Sequence, residues 1–104
     1  MDSPLERALK IIIHVANPDK VILFGSHASG KGNPESDYDF LVLKKGIKKQ
    51  RKLAQEIYLN LTNIGAPVDV IVSNLEKYER LKTDPYMIYS EAAGNGRVVY
   101  EKSG

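Results

Sequence analysis

Cysteine is absent from all 104 residues. That excludes disulfides, thiolate metal sites and a thiol nucleophile, and it fits a reducing cytoplasm as the expected location. Long apolar runs are missing too. Ile11-Ile12-Ile13 falls far short of the roughly 20 residues that a membrane-spanning helix needs. The N-terminus lacks the apolar stretch of a signal peptide. Charge of one sign is also scarce: 15 basic against 13 acidic residues leave a formal +2, too little by itself to imply nucleic-acid binding. There is no internal repeat and no low-complexity linker. With 42% hydrophobic and 27% charged residues, the expectation is one soluble domain spanning 1–104, large enough for a single core.

Within that plain background, residues 21–43 stand out. An apolar run, Val21 to Phe24, stops at Gly25-Ser26; a loop of small residues follows, and a second apolar run opens with Asp37-Tyr38-Asp39. Short apolar runs bounded by Gly and Pro read as buried strands. Alternation puts Asp37 and Asp39 on one face of the second strand, Cα atoms about 6.6 Å apart, with Leu41 and Leu43 continuing that face. Carboxylates this close repel, so a site that keeps both ionised usually holds a cation. In the loop, Gly25, Gly30 and Gly32 permit positive φ and close approach of a ligand. Its amides can form an anion-binding concavity, to which Ser26 adds a hydroxyl. Phosphate-cradling amides beside Mg²⁺-holding carboxylates describe a nucleoside triphosphate site. A P-loop is excluded, because its eighth position, which should be Ser or Thr, is Gly32, and Gly32-Asn33-Pro34 is a poor first helical turn.

The flanking chain supplies a frame. Ser3-Pro4-Leu5-Glu6 is a capping box opening a helix to about Ala16. A second helix is expected over roughly Lys48–Asn63, with Leu53, Ala54, Ile57, Tyr58, Leu61 and Ile64 on one stripe. Val68 to Val72 reads as a third strand. Asp69 inside it is costly unless paired, hydrogen-bonded or metal-bound, and on these grounds alone a structural role and a functional one stay equally open. Ser73-Asn74-Leu75-Glu76 reads as another capping box, Thr83-Asp84-Pro85 as the start of one more helix, and Val98-Val99-Tyr100 as a short last strand. The expected fold is α/β (α+β): a small mixed sheet, first and second strands antiparallel, third parallel to the second, with helices on one face and the acids on the other. Between Lys44 and Lys52, six of nine residues are basic. That run reads as a solvated turn; the alternative is a basic lip near the triphosphate or a docking surface for RNA or an acidic partner.

Gly25-Ser26, then ten residues, then Asp37-x-Asp39, with a strand on each side, resembles the signature of polymerase-β-type nucleotidyltransferases in their minimal form. The resemblance covers nearly the whole chain. It implies a nucleotidyltransferase fold and transfer of a nucleotidyl group with ATP as substrate and Mg²⁺, two ions, as cofactor. Asp37, Asp39 and Asp69 would be the catalytic and metal-binding acids, Asp69 being the third carboxylate of the family pattern. Gly25, Ser26 and Gly30 would hold phosphates, and Lys31 would neutralise the leaving pyrophosphate. One departure is Ser29, where members often carry Arg. Proteins similar to this act beside a small helical HEPN toxin as antitoxins, passing AMP to a toxin tyrosine; that partner is the one expected. The alternatives are a non-catalytic binding module and transfer to RNA or a small molecule. A homo-oligomer is left open.

Overall fold

The computed structural model describes residues 3–25, 27–28, 30 and 37–103. Helix α1 covers Pro4–Ala16, started by the Ser3 hydroxyl, which accepts the Glu6 amide at 3.2 Å, and closed by Asn17 in the left-handed region. Strands β1 (Lys20–Phe24) and β2 (Tyr38–Lys44) follow, then α2 (Gln50–Asn60) and β3 (Val68–Asn74). The chain ends in α3 (Leu75–Leu81), α4 (Ile88–Asn95) and β4 (Arg97–Glu101).

The strands form one mixed sheet in the order β3-β2-β1-β4. β1 and β2 are antiparallel, β2 and β3 parallel, as expected. The last strand pairs antiparallel with the outer side of β1, with a bulge between Val21 and Ile22.

Helices cover both faces of this sheet, which corrects the expectation that they lie on one. Val21, Leu23, Phe40, Val42, Val70 and Val72 pack under α1 and α2 with Ala8, Ile12 and Ile57. The alternate residues Ile22, Phe24, Leu41 and Leu43 face the other way and are also buried, by Tyr78 of α3 and by Tyr89 and Ala92 of α4. The reason is the hydrophobic effect: each such side chain gains about 1.5–3 kcal/mol on burial, so an aliphatic second face draws its own cover.

Local chemistry moved several boundaries. α2 begins at Gln50, two residues later than expected, and its start is weakly marked: Lys49, its N-cap, makes no side-chain cap and no acid sits in the first turn. Asn74, not Ser73, caps α3, its Oδ1 accepting the Glu76 amide at 2.9 Å. Ser73 is buried instead, its hydroxyl 2.7 Å from that of Tyr89. The segment from Thr83 to Met87 is a turn rather than the start of α4; Asp84 precedes Pro85 and so avoids helical backbone, and its Oδ1 accepts the Tyr86 amide at 3.0 Å. Among the described residues, no helix is long and apolar enough to cross a membrane.

Candidate active site

The end of β1 and the beginnings of β2 and β3 meet at one end of the sheet. Asp39 registers with Phe24 on one side and with Asp69 on the other. Because paired residues share a face, the two carboxylates stand side by side on adjacent strands, about 4.8 Å apart at the backbone. They occupy the face that carries Leu41, Leu43 and Ile71. α3 and α4 cover the aliphatic end of that face, while Asp39 is half-buried and Asp69 exposed. Directly opposed like charges destabilise a sheet. An aspartate pair kept in this register therefore suits a cation, and all-oxygen donors suit Mg²⁺.

Gly25 follows immediately after β1. Its φ is +77°, and a Cβ there would run into the Asp39 carboxylate, lying 3.3 Å from Asp39 Cγ. Only glycine meets both demands, so the turn is built against the acid. Gly30 also has φ +77°, with open space where a Cβ would be. Asp37 lies just outside β2, exposed, because the ladder starts one residue later, with the Tyr38 amide donating to Pro67 O at 3.0 Å. Ser26, Ser29 and Lys31 fall outside the described residues. Among those described, no three His, Asp or Glu side chains are gathered as a ready-made metal cage. The pair that the sheet does bring together is Asp39 and Asp69.

Two residues of this region gave no functional signal in the sequence. The His27 ring stacks on that of Tyr38, centroids 3.7 Å apart and planes 7° from parallel. Nothing in the spacing announces that contact. Tyr58 fitted a core stripe, yet its hydroxyl reaches the edge strand β3, accepting the Val70 amide at 2.7 Å. That bond steadies the strand that carries Asp69.

The basic run lies elsewhere. Lys44 is five residues along β2 from Asp39, about 16 Å by strand rise. Its Nζ donates to the carbonyls of Ala16 at 2.8 Å and Asn17 at 3.3 Å, closing the C-terminus of α1. The Lys45 amide donates to Asp19. The start of the run is structural, at the far end of the sheet from the acids.

Residues 6–104 match the family model described as Polymerase beta, Nucleotidyltransferase. A search of the curated proteins finds no match. Among solved structures, the chain is similar to one from a crystal structure of a toxin–antitoxin with AMP-PNP. That match has 20% identity and a TM-score of 0.59, and covers 93% of this chain and 73% of the other. It is also similar to a protein from Sulfolobus solfataricus assigned as a nucleotidyltransferase. Here the identity is 21% and the TM-score 0.59, with 98% and 90% of the two chains covered. At these identities the solved structures speak to the fold alone.

Proposed function

The chain belongs to the polymerase beta nucleotidyltransferase family, and from that premise we propose that it transfers AMP from ATP to a hydroxyl of a partner protein. The observation that carries this reading is the Asp39–Asp69 pair, set in register beside a turn that only glycine can make. Asp39 and Asp69, with Asp37 from the chain just before β2, would hold Mg²⁺ together with substrate phosphate oxygens. Bound there, divalent ions supply charge neutralisation at the phosphates during an in-line displacement.

The chain's own residues do the rest. Backbone amides around Gly25 and Gly30, with Ser26, hold the β- and γ-phosphates, and Lys31 neutralises charge on the departing pyrophosphate. Asp69, the more exposed of the register pair, faces the acceptor and takes the proton from its hydroxyl. The hydroxyl oxygen then bonds to the α-phosphorus, and the bond to the β-phosphate bridge breaks as pyrophosphate leaves.

The acceptor in this reading is a tyrosine of a HEPN-type toxin, with this chain as its antitoxin. Its support is the likeness to a toxin–antitoxin structure. Transfer to RNA loses ground, because Lys44, which opens the basic run, caps a helix about 16 Å from the acids along β2.

The test is transfer of label from α-labelled ATP with Mg²⁺, wild type against Asp39→Asn, with co-purified cellular protein as acceptor. Label on one small protein, lost in the variant, establishes the enzyme. An Mg²⁺-independent complex without label makes the chain a binding antitoxin.

A further inference from the structure

We infer that His27 is a positioning residue for the nucleotide, acting through its stack on Tyr38. The inference rests on the nucleotidyl-transfer reading and adds to it a residue outside the signature of glycine, serine and paired aspartates.

The geometry is that of a clasp. Phe24 and Asp39 are register partners, and their side chains share the face on which the acids lie. Tyr38, one residue before Asp39, points to the opposite face and packs with the α1–α2 core, as does Ala28. Gly25 thus stands against the acid face and Ala28 against the helical one, and His27 lies between them in the chain. Its ring lies flat on Tyr38 at 3.7 Å, and Tyr38 is itself fixed by the ladder to β3 and by the hydrogen bond its amide donates to Pro67 O.

The stack thus ties the phosphate-facing turn, two residues after Gly25, to the strand that carries Asp39. A glycine at φ +77° has no side chain to hold it and is free to leave that conformation. What keeps it against the Asp39 carboxylate has to come from its neighbours, and the ring contact supplies that. Loss of the stack would leave the acids in place but let the turn swing. Nucleotide affinity would then suffer while the chemistry of a bound nucleotide stays intact.

The experiment measures binding of AMP-PNP with Mg²⁺ by calorimetry at a temperature well below the unfolding midpoint, on wild type, His27→Ala and His27→Phe. His27→Ala is expected to weaken binding about fivefold, the worth of one aromatic pair. His27→Phe, which keeps a flat ring on Tyr38, should restore it. In turnover, His27→Ala should raise KM for ATP by the same factor and leave kcat within about twofold. Equal affinity in wild type and His27→Ala overturns the positioning role, as does weak binding that His27→Phe fails to rescue. A wild type that binds no AMP-PNP overturns the nucleotide-site reading itself, and the positioning role with it.

Discussion

Gly25 and Asp39 occupy each other's space: the Asp39 carboxylate stands where a Cβ on residue 25 would be. The backbone at Gly25 is also left-handed, at φ +77°, so two separate features reserve the position for glycine.

Gly25→Ala should therefore do two kinds of damage. The left-handed backbone costs an alanine about 1–2 kcal/mol, which lowers the denaturation midpoint. The new methyl also displaces Asp39, so the proposed AMP transfer should fall by about 100-fold or more while the protein remains folded. Chemical denaturation and label transfer measure the two effects separately. Full activity in this variant would show that Asp39 does not act from where it stands.

Asp69→Asn should move stability and activity in opposite directions. Removing one charge from the Asp39–Asp69 register pair relieves repulsion worth about 0.2–1 kcal/mol in metal-free buffer. Transfer should be lost, with AMP-PNP binding spared more than turnover. Mg²⁺ should raise the thermal midpoint of wild type but not of the variant. An unfolded variant would instead give Asp69 a purely structural role.

Tyr58→Phe deletes the hydroxyl that accepts the Val70 amide at 2.7 Å on the outer edge of β3. The expected loss is about 1 kcal/mol, that of one hydrogen bond. Hydrogen exchange at the Val70 amide should quicken more than at Val42 in the middle of the sheet. Unchanged exchange at Val70 would show that the hydroxyl does not protect the edge.

Glu79 sets an acid limit on the packing of α3. The hydrogen bond from Lys82 holds its carboxyl below the usual 4.5; burial, next in size, opposes this, and the charges of Lys82 and Lys20 add to the lowering. A folded-state value below the unfolded one means stability that is present above about pH 4.5 and lost as pH falls through the lower value. With 44% of the side chain exposed, salt screens the effect, which should be small. Thermal midpoints of wild type and Glu79→Gln should differ slightly at pH 7 in low salt and converge near pH 3. A difference that persists at pH 3 would point to packing rather than charge.

Much of this molecule was legible before folding. The Ser3 cap and the two strands around the glycine loop follow from local chemistry, because capping, turns and period-two alternation act over a few residues, and the direction of the third strand follows from the helical crossover that joins it to the second. Leu41 and Leu43, on the same face as the acids, already carried the clue that this face needs a cover of its own. The pattern did not say which segment would supply it. Likewise Asp69 alone was undecided between structural and functional roles, and the register with Asp39 is what sets it beside the other acid.

The sequence by itself determined the elements, the glycine turn and the candidate acids, since each depends on neighbours along the chain. Only the tertiary structure decided that α3 and α4 close the second face, that the start of the basic run serves α1 rather than the acids, and that His27 rests on Tyr38. Those choices are made between residues far apart in sequence, where burial and strand register outweigh any local preference.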